Sequence, residues 1–136
     1  MKGILLTSHG PMAQGILETS KLFFGEQEQI KACCLDANDN PDDFIEVLKI
    51  AIDEIDTGDG VIVFCDMLFG SPCNCMARIL GEDLQSDRIQ VLTGLNLPMI
   101  LQVLATREAG TETVEELLNA GKDGVSDLRA VIMANM

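Results

Sequence analysis

The chain has 136 residues, 22 acidic against 9 basic side chains, a formal net charge of −13 and a 47% hydrophobic composition. That length suits one domain, 1–136, which can bury roughly two-thirds of the surface its unfolded chain exposes without a disulfide or metal to hold it. Nucleic acid and anionic membranes are excluded as partners, because both call for clustered Lys and Arg and the nine here are scattered singly.

The start, MKGILLTSHG, has too short an apolar run for a signal peptide, and no run approaches the ~20 residues of a membrane span. With an odd set of cysteines (Cys33, Cys34, Cys65, Cys73 and Cys75), a reducing cytoplasm is the expected location.

In chain order, a first β-type run covers Gly3–Thr7. Pro11 then opens a helix at N1 with the stripe Ala13, Ile16, Leu17, Ser20 and Phe23, and Gly25 stops it. Ile30–Leu35 reads as the second strand. Asn40 follows as an N-cap, with Pro41 at N1 and Asp42 and Asp43 in the first turn, where the helix dipole favours anions. Val61–Cys65 is the third strand, leading to a helix opened by Ser71-Pro72; Ile89–Thr93 is the fourth, leading to one opened by Pro98. Thr113-x-x-Glu116 is a capping box for a fifth helix. Strands that are mostly apolar rather than strictly alternating, and that alternate with helices, predict an α/β fold with a doubly wound open sheet, four parallel strands covered on both faces. The tail run Ala130–Ala134 has no helix after it to cover it, and reads as a last edge strand or as an exposed patch that needs a partner.

His9, the one histidine, falls at the carboxyl end of the first strand, where open α/β sheets bind ligands. Asp66 ends the third strand in the same way. In a sheet of order 2-1-3-4 the two sit side by side at the switch point. The carboxylate then fixes the tautomer of the imidazole and leaves its other nitrogen a basic, oriented nucleophile. Two helix N-termini converge there with unpaired N–H groups suited to an oxyanion or phosphoryl group. No Lys or Arg lies in either loop, so amides and hydroxyls such as Ser71 and Ser8 would do the holding, and acceptance should fall as His9 protonates and loses its lone pair.

Ser8-His9-Gly10, the acidic loop Asp36–Asp43, Asp66-x-x-x-Gly70-Ser71-Pro72-x-Asn74 and Gly94-Leu95-Asn96-Leu97-Pro98 together resemble, in order and spacing over essentially the whole chain, the IIA component of the mannose-type sugar phosphotransferase system. The resemblance implies a phosphotransferase without metal or organic cofactor, a phosphohistidine relay in which His9 accepts from the histidine-containing phosphocarrier protein and donates to a IIB domain. Asp66 would be its catalytic partner, with Ser8, Gly10, Gly70 and Ser71 at the phosphoryl group. It also implies a homodimer exchanging a C-terminal antiparallel strand, and membrane association only through IIB. One departure is Phe69, where the family commonly has the first glycine of a Gly-Gly pair. Either the backbone there does not need φ > 0 or the turn differs, and the ring could thicken the rim a partner meets. Cys73 and Cys75 also replace more usual apolar or small residues.

Three other signals carry less. Asp36–Asn40 imitates a calcium loop, but Pro41 stands where the turn needs Gly and Val47 where the bidentate Glu belongs. The cysteines read as buried packing thiols, Cys33 and Cys34 facing opposite ways along a strand. A flavin or nucleotide site lacks its Gly-rich fingerprint after the first strand. A regulatory module of the same fold, its His9 phosphorylation controlling a transcription or kinase partner, is the alternative reading.

Overall fold

The structure, a computed structural model, describes residues 1–136. Four strands, β1 (Gly3–His9), β2 (Ile30–Leu35), β3 (Val61–Cys65) and β4 (Ile89–Thr93), pair in parallel in the order β2-β1-β3-β4, as expected. Six helices accompany them: α1 (Met12–Phe24), α2 (Pro41–Ile55), α3 (Ser71–Glu82), α4 (Leu97–Thr106), α5 (Val114–Asp123) and α6 (Leu128–Ala134).

Alternation along the central strands divides the core in two. Leu5, Val61, Val63 and Cys65 pack with Leu48, Ile52 and Met76 of α2 and α3 on one face. Ile4, Leu6, Ile62 and Phe64 pack with Leu17, Ile100, Val103 and Leu117 of α1, α4 and α5 on the other. Strands buried on both sides have no polar face, which is why they read as continuous apolar runs. Cys33 lies on the first face and Cys34 borders the second, and all five thiols are free.

The helix starts follow the expected chemistry with one shift. Asn40 Oδ1 accepts the Asp42 N–H at 2.8 Å, and Thr113 Oγ1 accepts the Glu116 N–H at 3.1 Å. Pro11 is the N-cap of α1 rather than N1, and the cap is made from a distance: Ser8 Oγ accepts the Ala13 N–H at 2.8 Å. Of the anticipated α1 stripe, Ala13, Leu17 and Ser20 are buried, whereas Phe23 faces solvent.

The tail corrects an expectation. Residues 128–134 do not form an antiparallel strand within the chain; they form α6, capped by Asp127, whose carboxylate accepts the Arg129 N–H at 3.1 Å. Within one chain this segment has no strand beside it, and a helix satisfies its backbone groups internally. Its side chains Leu128, Val131, Ile132 and Met133 remain exposed, as the second reading of the tail had it.

Arg107 ends α4 and is fully buried. Its Nη1 donates to the carbonyls of Lys2 (3.2 Å) and Gln29 (3.0 Å), and Nη2 donates to that of Glu28, tying the starts of β1 and β2 to α4. Arg107→Ala takes the guanidinium from the Lys2 and Glu28 carbonyls, while Gln29 O keeps the Ile4 N–H at 2.9 Å, and should lower stability by about 2 kcal/mol. The midpoint of urea denaturation reads this directly, and an unchanged midpoint would show that water replaces the guanidinium.

Candidate active site

β1 and β3 are neighbours, with Thr7 opposite Cys65, so the residues just beyond them meet above the sheet edge. His9 is the last residue of β1, two positions further along the strand than its sequence suggests. Gly10 turns the chain at φ 57 and donates its N–H to Leu35 O at 2.8 Å. Across from it, Asp66 donates its N–H to Thr7 O at 3.2 Å, seating the carboxylate against β1.

Asp66 Oδ2 receives both the backbone N–H of His9 (2.9 Å) and its ring Nδ1 (2.6 Å), while Oδ1 accepts the Met67 N–H at 2.9 Å. An acceptor at Nδ1 assigns the proton to that nitrogen and leaves Nε2 as the lone-pair nitrogen. The imidazole is 46% exposed and the carboxylate 10%, so the ring is open to a partner and its support is sheltered. Burial pushes the Asp66 pKa up, but the hydrogen bonds from the His9 backbone and ring and from Met67 N–H outweigh it and hold the carboxyl below its ordinary value.

The loop between β3 and α3 closes over the ring. A Cβ at Gly70 would stand 2.6 Å from His9 Cε1, 3.4 Å from Nε2 and 2.9 Å from Met67 Cγ, so only glycine lets the backbone approach this closely. Beyond it, the N–H groups of Ser71 and Cys73 have no acceptor in the protein, as expected in the first turn of a helix. Pro72, between them, has no N–H to offer.

The four residues proposed for a phosphoryl group therefore divide. Gly70 and Ser71 line the ring and the open start of α3. Ser8 and Gly10 are committed elsewhere: Ser8 is wholly buried, its hydroxyl accepting from Ala13 N–H and donating to Gly10 O at 3.0 Å, and the Gly10 N–H is bound to Leu35 O. Their place is in shaping the turn that carries His9. Asn74, which the sequence offers only as a member of the motif, has a structural part: its Nδ2 donates to Phe69 O at 3.1 Å and clamps the loop.

Phe69 itself answers the question its identity raised. Its φ is 65, so the backbone does take the left-handed conformation, with a phenylalanine in place of the glycine that adopts it freely. Holding a non-glycine residue there costs about 1 kcal/mol.

Elsewhere, a cleft of about 230 Å³ lies at the opposite end of the sheet, and its charges pair among themselves, Lys49 with Glu82 and Arg88 with Asp53. No helix is long and apolar enough to cross a membrane.

Fold and geometry define a class: a doubly wound α/β chain with an imidazole and carboxylate coupled at its switch point. Within that class, residues 3–121 match the family model described as the fructose IIA component of the phosphotransferase system, and the chain belongs to this family of phosphotransferase relay proteins. It is 29% identical over 130 residues to the mannose-specific EIIAB component of Escherichia coli K12 and 28% identical over 108 residues to the fructose-specific EIIA component of Bacillus subtilis. These matches cover 93% and 79% of this chain; it spans only 39% of the first relative and 72% of the second. Among solved structures, the IIA protein associated with the fucose utilization operon of Streptococcus pneumoniae superposes with a TM-score of 0.87 at 28% identity, covering 96% of both chains. The mannose/sorbose-specific IIA subunit of Enterococcus faecalis gives 0.78 at 26%, over 93% of this chain and 95% of that one.

Proposed function

We propose that His9 Nε2 takes a phosphoryl group from the histidine-containing phosphocarrier protein and passes it to a IIB domain, for sugar uptake and phosphorylation. The observation that carries this is the 2.6 Å contact of Nδ1 with Asp66, which in the neutral ring leaves the lone pair on Nε2, on a side chain that is 46% exposed. In the step, the Nε2 lone pair attacks phosphorus, the donor's N–P bond breaks and a new N–P bond forms. The proton stays on Nδ1, where the Asp66 carboxylate balances the positive charge that develops on the ring. In this reading Ser71 Oγ and the amides of Ser71 and Cys73 receive the phosphoryl oxygens, with the N-terminal end of α3 adding its partial positive charge. The relay works in the cytoplasm and reaches the membrane only through IIB. The exposed apolar side chains of α6 support pairing with a second copy of the chain.

Incubation with phosphoenolpyruvate and the general phosphotransferase proteins should add one acid-labile phosphate per chain, recovered after trypsin in the peptide Gly3–Lys21. No uptake, or acid-stable label in another peptide, overturns the reading.

A further inference from the structure

Four apolar side chains stand in solvent around the imidazole: Met12 at the start of α1, and Met67, Leu68 and Phe69 in the loop before α3. Phe69 is the most exposed at 78% and also the strained one, held at φ 65 with its carbonyl clamped by Asn74. Little inside the chain is gained by this arrangement, since most of the Phe69 surface stays in solvent and glycine would adopt the backbone freely. An exposed apolar cluster beside a reactive atom marks a surface that meets another protein.

The electrostatics narrow what that protein presents. Between Ile4 and Ile16 there is no charged side chain except His9 when protonated, and between Val61 and Ala77 only Asp66. Around this neutral zone the loop after β2 and the first turn of α2, on the same edge of the sheet, carry Asp36, Asp39, Asp42 and Asp43, of which only Asp42 is in an ion pair, with Arg78. The complementary face is apolar at its centre and ringed with Lys or Arg.

Resting on the phosphohistidine reading above, we propose that Phe69 is the anchor by which the phosphorylated carrier protein docks, its ring entering an apolar contact within a basic rim as the donor's phosphohistidine meets His9 Nε2. Phe69 acts on the encounter with the protein donor and not on the reactivity of His9, which Asp66 and Gly70 govern.

Two donors separate these roles. The wild type, Phe69→Asn, which tolerates φ > 0 without the ring, and Phe69→Trp, which keeps an aromatic, are phosphorylated by the charged histidine-containing phosphocarrier protein and, separately, by the small donor phosphoramidate. Phe69→Asn should raise KM for the protein donor about tenfold with kcat within about twofold, as expected when binding common to ground and transition states is lost. Phe69→Trp should stay near the wild type, and all three should react alike with phosphoramidate. An unchanged KM in Phe69→Asn overturns the proposal; so does equal slowing with both donors, which would make Phe69 part of the loop's shape. A wild type labelled by phosphoramidate but not by the carrier refutes the relay and the docking together while leaving the His9 chemistry standing. A wild type labelled at His9 by neither refutes all three.

Discussion

Asp66→Asn should slow phosphorylation of His9 on the order of ten-thousandfold while preserving the fold, the scale of loss when an aspartate orienting a catalytic histidine is made neutral. One oxygen, Oδ2, accepts from both the backbone and the ring of His9, and Oδ1 accepts from Met67 N–H, so the native side chain is an acceptor on both sides. An asparagine can satisfy only one. If its oxygen faces His9, the NH₂ meets the Met67 N–H and the charge that balances the ring is gone. If its NH₂ faces His9, the ring must turn its lone pair to Nδ1 and carry its proton on Nε2, the atom that must attack. Rapid-quench measurement of acid-labile phosphate decides the matter, with His9→Ala, which removes the accepting nitrogen, as the floor. A rate within threefold of the wild type would remove Asp66 from the mechanism.

Acidity gives this substitution a second readout. Because the folded Asp66 pKa lies below its ordinary value, the carboxylate stabilises the fold above the unfolded pKa, and that contribution disappears as the pH falls through the folded value. The wild type should therefore lose stability on acidification more steeply than Asp66→Asn.

Gly70→Ala is expected to reduce the rate about a hundredfold, the scale of a roughly 1 Å misplacement of a reacting group. The added methyl would meet His9 Cε1 at 2.6 Å and Met67 Cγ at 2.9 Å. Met67 is exposed and flexible and can move aside; the imidazole can do so only by giving up its bond to Asp66. Stability should change by less than about 1 kcal/mol, because the lost ring bond to Asp66 is set against the reduced freedom of the unfolded chain at a residue whose φ of −73 alanine adopts readily. Gly81→Ala, on an open face of α3, is the control and should leave the rate unchanged. A loss of rate matched by loss of stability would point to general disruption of the loop.

The sheet and its order were legible in the sequence because β3 and the first half of β1 are apolar and α1 to α5 are each announced by a cap or a proline. The pairing of His9 with Asp66 followed from that order. Who holds the free amides did not: Ser8 and Gly10 sit beside His9 in the chain, yet their polar groups close the turn, a fact visible only once Leu35 and Ala13 are placed. The tail misled because a short continuous apolar run, Ala130–Ala134, does not separate strand from helix, and what decides between them is whether a neighbouring strand is present. At Phe69 the residue type argues against a left-handed backbone, and the bond from Asn74, five positions on, prevails over local preference.

The double grip of Asp66 Oδ2 on the backbone and ring of His9 has one further consequence. It fixes the side chain to a single heading, so any phosphoryl group gained at Nε2 must arrive and depart through the same opening. Donor and acceptor cannot occupy that opening together. Under the proposed relay the phosphorylated chain is an obligatory free species between two successive encounters, and the flux it can carry depends on how long the N–P bond survives in water while unattended.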